Sequence, residues 1–320
     1  MVFYEAELGR GAMAFSELIA LYLFLGGTSA GSFAVLSVID LCIAYSHARR
    51  GRFSRVPSSY FACRSRSVTH RRIGRAVYGT SFVMMIAGLL CLLADLGKPE
   101  AFYLIFLYPT SSFMSIGAFA LTFTTICLAV ALAEAVLVLG PAWERLALVA
   151  KAVGVVFSLV VMLYTGFLLE TVLAVQLWTS LWLPMLFLLS ALSCGCAVVL
   201  LGVCVSGGYE GLRAWLRRLT VVDALIVALE AAVTVAFIVS VAATGGRSAL
   251  DVLLFGNLTW LFWVGFVACG MVVPFALELD ALLVRRSHRP SVVATTAALV
   301  LAGGLCLRFA LVVAGVHPIS

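Results

Sequence analysis

Long apolar runs broken by short polar stretches dominate the chain. Eight runs stand out, at about 14–45, 76–96, 112–139, 152–171, 183–205, 221–243, 254–282 and 291–315. Each approaches or exceeds the ~20 residues that a helix needs to cross ~30 Å of hydrocarbon. The runs are continuous rather than alternating, which excludes the strands of a membrane barrel, and lipid admits no third arrangement of the backbone. The pattern predicts an all-α integral membrane protein with eight transmembrane helices. The first and seventh runs are overlong, so tilt or an interfacial start is expected there. The opening "MVFYEAELGRGAMAF" has acids in place of a basic leader, which predicts that the first helix is retained.

Composition agrees with the pattern. Of 320 residues, 63% are hydrophobic and 11% charged, against about half and a quarter in soluble domains. The formal net charge of +6 does not point to nucleic acid, because its distribution explains it. The connection after the first span carries nine arginines, and Arg145, Lys151, Arg213, Arg217, Arg218, Arg285, Arg286 and Arg289 flank the later connections of the same parity. Arg10, Lys98, Arg247 and Arg308 fall toward the opposite side. The positive-inside rule then places the arginine-rich face in the cytoplasm and both termini outside. The long basic connection reads as a topological anchor against anionic lipid.

Small residues hint at packing. "LGGTSAGSF" holds Gly27 and Gly31 at GxxxG spacing, which lets a neighbouring backbone come close. Pro274 should kink the seventh span or open its hydrogen bonding. Nine cysteines are scattered, mostly singly, and the pair Cys194 and Cys196 points to different faces of a helix; small buried hydrophobes are expected rather than a metal framework. His47, His70 and His288 fall in the arginine-rich connections and His317 at the terminus, so bis-histidine haem ligation across spans is not expected.

Ionisable groups inside spans are functional candidates by default. Glu230 is the deepest acid, and Asp223 lies seven residues earlier on nearly the same helix face. The two suit an inward proton relay, or a structural hydrogen bond to a neighbour. Arg308, some seven residues inside the last span, either snorkels outward or pairs with an acid. At the opposite membrane face, the first span brings Glu17 and Tyr22, the second ends in Asp95 and Lys98, and the fourth ends with Tyr164 and Glu170. Quinone chemistry requires such a place, since its oxygens need hydrogen-bond donors and two protons must be exchanged. Carboxyl groups beside apolar surface suit that exchange. Interfacial aromatic belts and wet helix ends are the competing account.

Several stretches, in order along the chain, resemble the NrfD family of polysulfide-reductase-type membrane subunits. They are "LYLFLGGTSAGSF", "LLADLGKPEAF", "SSFMSIGAFAL", "YTGFLLE", "LWLPMLFLLSALSCGCA" and "LVLAGGLCLRFALVVAG". The resemblance implies two four-helix bundles, residues 1–182 and 183–320, without a redox cofactor of their own. It implies menaquinone or ubiquinone bound near the extracytoplasmic face of a bacterial cytoplasmic membrane, and a docked ferredoxin-like iron–sulfur subunit with a molybdopterin catalytic subunit. Asp95 matches the acid of the family's turn and Tyr164 its quinone-bonding tyrosine, while Tyr22 stands where members carry a histidine and Glu17 lies one turn further out. Lys98 replaces the commoner arginine, keeping charge but not the bidentate fork. The expected function is quinol oxidation or quinone reduction, with Tyr164, Tyr22, Asp95 and Glu17 at the quinone, Asp95, Glu17, Glu230 and Asp223 moving protons, and Lys98 and Arg308 supporting electrostatically. A proton or solute transporter, or a passive anchor, are the other classes that the polar residues allow.

Overall fold

The computed structural model describes residues 2–53, 68–95, 113–137, 140–170, 177–206, 213–244, 246–256, 258–283 and 290–316. Among them there are no strands. Eight helices are long and apolar enough to cross a membrane: α1 (Val2–Phe53), α2 (Val68–Asp95), α3 (Phe113–Val136), α4 (Pro141–Glu170), α5 (Trp182–Val205), α6 (Arg213–Ala243), α7 (Trp260–Leu283) and α8 (Pro290–Val316). The short helix Arg247–Leu254 precedes α7, and the seventh span begins at Trp260, a few residues inside the expected run. Another boundary moves as well: α4 begins at Pro141, a residue type favoured in a first helical turn. Lys151 is therefore ten residues inside α4 rather than in a connection.

α1 is the centre of the molecule and packs on α2, α4, α5 and α8. Its small-residue face makes this possible. A methyl group on Gly31 would collide with the Ala191 carbonyl, and one on Gly195 with the Gly31 backbone, so α1 and α5 touch main chain to main chain. Gly27, one turn earlier, faces Ala191 and the Arg308 guanidinium. Where hydrophobicity cannot distinguish lipid from protein, such close van der Waals contact is what holds helices together.

α7 is irregular over the stretch leading up to Pro274. From Trp260 to Val272 its turns are wide, of the π type, and the Val273 N–H still reaches five residues back to the Ala268 carbonyl. Regular α-helix resumes at Val273, immediately before the proline that has no N–H to donate. Gly270 lies against Gly303 of α8. Among the described residues the cysteines are free thiols. Cys194 and Cys196 are buried and belong to different packing clusters, as their spacing suggests, whereas Cys42 is exposed.

Candidate functional site

Tyr22 projects from the first turns of the α1 span Glu17–Ser46 and Tyr164 from the last turns of α4. Both are buried, at 2% and 4% exposure, and the two phenols face each other. Their geometry falls short of a hydrogen bond, and the Tyr22 hydroxyl has no partner among the described residues. Glycine makes room for the pair. A methyl group at Gly117 of α3 would overlap the Tyr164 ring, and Gly26 lies under the Tyr22 ring. A buried hydroxyl without a partner carries a desolvation cost of about 1–3 kcal/mol, so such a group is a candidate to hydrogen-bond a bound molecule or water.

The other residues expected in this pocket lie less centrally. Asp95 ends α2 half-buried, with Oδ1 enclosed and unpartnered among the described residues. Glu17 is exposed at the start of the α1 span, whereas Tyr22 is buried. Lys98 lies outside the described residues.

Arg308 does not snorkel. It is 0% exposed, and α1, α5 and α8 enclose it. Its Nε donates to the Leu23 carbonyl at 3.3 Å, and its Nη1 donates to Ser190 Oγ at 3.0 Å and the Gly304 carbonyl at 2.8 Å. The Phe24 and Phe187 rings lie 5.8 and 5.3 Å from its guanidinium carbon. Ser190 also faces Glu230 of α6. Two turns toward the arginine-rich end, Asp223 faces Ser193 of α5 and Glu278 of α7. Glu278 was not expected from the sequence. It is 4% exposed, and the residues just beyond the proline turn it inward. Neither of its oxygens has a hydrogen-bond partner among the described residues.

A third polar group is missing altogether from the sequence expectations. Lys151 is 0% exposed and its Nζ lies 2.6 Å from Asp40 Oδ2 of α1 and 2.7 Å from Glu134 Oε2 of α3. Tyr78 of α2 donates to Asp40 Oδ2 at 3.0 Å, and His70 Nε2 lies 3.0 Å from Asp40 Oδ1. His70 therefore belongs to α2 and to a buried network, correcting its placement in a connection. The expectation concerning paired haem ligands is a separate matter: among the described residues no three His, Cys, Asp or Glu side chains gather as a metal-binding group. Asp40, Glu134 and Lys151 each lie near the end of an apolar run, where a wet helix end explains a charge equally well. Only the helix packing, which joins positions 111 residues apart, distinguishes the two.

Fold and site together define a multi-pass membrane protein with a buried pair of phenols toward one end of the bundle and two buried polar groups. The family model for polysulphide reductase, NrfD, matches residues 9–319, and the chain belongs to that family. It is 31% identical to protein NrfD of Escherichia coli K12 over 256 residues, covering 72% of this chain and 79% of that protein. It is 25% identical to a protein NrfD homolog of Haemophilus influenzae over 98% of this chain and 97% of the relative. One component of the polysulfide reductase of Wolinella succinogenes is 31% identical over 72% of this chain and 77% of its own length.

Proposed function

We propose that this chain is the quinone-binding membrane subunit of a respiratory oxidoreductase complex. One observation carries the reading above all: the Tyr22 hydroxyl is buried and unpartnered among the described residues beside Tyr164, in a member of the NrfD family. A quinone oxygen supplies what that hydroxyl lacks, since a phenol both donates and accepts. Tyr22 and Tyr164 hold the substrate's oxygens, and Asp95, at the end of α2, accepts or returns a proton. Glu17 is the solvent-side acid beyond it, and Lys98 and Arg308 add positive potential.

The chain supplies no electron carrier in this proposal. Electrons pass between quinone, menaquinone or ubiquinone, and a docked ferredoxin-like iron–sulfur subunit, which a molybdopterin subunit completes. The membrane is the bacterial cytoplasmic one, both termini lie outside, and residues 1–182 and 183–320 form the two four-helix halves. The Arg308, Glu230, Asp223 and Glu278 line supports a second reading, in which quinone turnover drives protons inward or outward through the C-terminal half. Ser190, which accepts from Arg308 and faces Glu230, favours it.

The experiment is a quinone-analogue binding titration on the purified complex, with Tyr22→Phe and Tyr164→Phe beside wild type. Each variant should weaken binding about tenfold, the equivalent of ~1.4 kcal/mol for a lost hydrogen bond. Wild-type complex that binds no analogue would identify the chain as a passive anchor. Turnover of a solute gradient without quinone would identify a transporter.

A further inference from the structure

Buried oxygens without partners gather around Asp223 in the C-terminal half. α6 packs on α5 and on the last turns of α7, and there Asp223 faces Ser193 of α5 and Glu278 of α7. Asp223, Ser193 and Glu278 are 1%, 2% and 4% exposed. Asp223 Oδ1, Ser193 Oγ and both carboxyl oxygens of Glu278 make no hydrogen bond to any described residue. The break in α7 builds this meeting, since Glu278 stands one turn beyond Pro274, where the wide turns have given way to regular helix.

The set is rich in acceptors and poor in donors. Ionised carboxylates only accept, and the Ser193 hydroxyl has a single proton to give. The buried cation of this region is engaged elsewhere. Arg308 donates to the Leu23 and Gly304 carbonyls and to Ser190, its Nη2 lies beside Gly27 of α1, and the acid on which its charge acts is Glu230. Glu230 is seven residues from Asp223, about 10.5 Å along α6. Cys194 and Cys196 of α5 are the other titratable groups within electrostatic reach. Two facing carboxylates in an apolar interior do not both stay charged without compensation. They hold protons, or they hold a cation.

The donor set selects the kind of cation. All four unpartnered atoms are oxygens, which suit a hard ion. Ca2+ takes about 6–8 oxygens, and Mg2+ demands a near-octahedral shell that keeps water. Here two carboxylates and one hydroxyl meet, and among the described residues no three His, Cys, Asp or Glu side chains gather as a metal-binding group. A monovalent ion fits both the ligand number and the charge. The strong field of carboxylate oxygens favours the smaller Na+ over K+. Water is close by, for Asp223 is seven residues inside the span that starts at Leu216, and Glu278 five residues before the span that ends at Leu283.

We propose that Asp223, Glu278 and Ser193 form a site for one Na+ between α5, α6 and α7, filled in exchange for one proton. When the ion is bound, one carboxylate is charged against it and the other keeps its proton. The pair is then neutral, as the interior of a span favours. When the site is empty both carboxyls are protonated, so one Na+ enters as one H+ leaves to water and no other bond changes. The line through Asp223 and Glu278 thereby gains a ligand other than the proton. No step involves the phenols, and the site stands apart from the quinone reading.

Two measurements on the purified complex test the site, and neither requires quinone. The first is labelling by dicyclohexylcarbodiimide, which reacts with protonated carboxyls in apolar surroundings, followed by peptide mapping. Glu278 or Asp223 should be labelled in choline chloride, and NaCl of equal ionic strength should slow the label about tenfold by mass action, while KCl should not. The second is equilibrium binding of radioactive Na+. One ion should bind per copy of this chain, with affinity rising about tenfold per pH unit, because each ion displaces one proton. Glu278→Gln should abolish binding, and Ser193→Ala should weaken it about tenfold while leaving the label in choline chloride unchanged. If Glu278→Gln fails to assemble, Ser193→Ala still decides. Equal labelling rates in NaCl and choline chloride, no saturable Na+ binding in wild type, or unchanged affinity in Ser193→Ala overturns the site, and equal protection by KCl overturns the choice of ion. A failed quinone-analogue titration overturns the quinone reading and leaves the Na+ site standing.

Discussion

At the residue scale, the site divides into groups legible from type and depth and groups that only contact reveals. Tyr22 and Tyr164 are legible, because a phenol a few residues inside an apolar run is either an interfacial anchor or a ligand to something polar. Burial at 2% and 4% rules out an exposed anchor. Arg308 left two alternatives open, and the contacts with Leu23, Ser190 and Gly304 decide for the interior. Replacing it with methionine keeps much of the volume but leaves the Leu23 and Gly304 carbonyls and Ser190 without their donor. A buried polar group left unsatisfied costs about 1–3 kcal/mol, so the complex carrying Arg308→Met should melt below wild type in a thermal-shift assay. An unchanged melting temperature would show that these bonds contribute nothing. Asp95→Asn keeps size and hydrogen bonding but removes proton acceptance. Quinol-dependent reduction should fall at least tenfold while the complex still assembles, and normal turnover would remove Asp95 from the mechanism.

At the scale of the element, the glycines of α1 and the break in α7 are readable in the sequence, and their consequences are not. GxxxG spacing announces a close neighbour without naming it. The neighbour is α5 at Ala191 and Gly195. Gly31→Ala forces a methyl group into a main-chain contact that has no side chain to yield. Overpacking of this kind costs about 1–3 kcal/mol, which a shift of the thermal midpoint would register; an unaltered midpoint would mean that the helices separate freely. Gly117→Ala acts one step removed from the pocket by displacing the Tyr164 ring. It should weaken quinone-analogue binding while Tyr22 and Tyr164 remain present, and wild-type affinity would show that the ring position is not critical. The proline in α7 is visible in the sequence, but the turn of Glu278 toward Asp223 depends on how π-type turns end before it. No periodicity encodes that register.

At the scale of the molecule, eight spans were readable because lipid allows few structures and length alone counts the crossings. The basic clusters predict which face is cytoplasmic by a separate rule. What the linear chain concealed is which helices meet. α1 reaches both buried polar groups, at Asp40 in one and through the Leu23 carbonyl in the other, and carries Tyr22 next to Leu23. α1 is therefore the common wall of the proposed quinone site and both polar groups. This arrangement requires the substrate to lie against Tyr22 and Tyr164. The most direct measurement is photoaffinity labelling of the purified complex with an azidoquinone, followed by peptide mapping. Label should appear on α1 around Tyr22 and on α4 around Tyr164, and be lost on competition with quinone. Label confined to other helices, or none that quinone displaces, would contradict the quinone site.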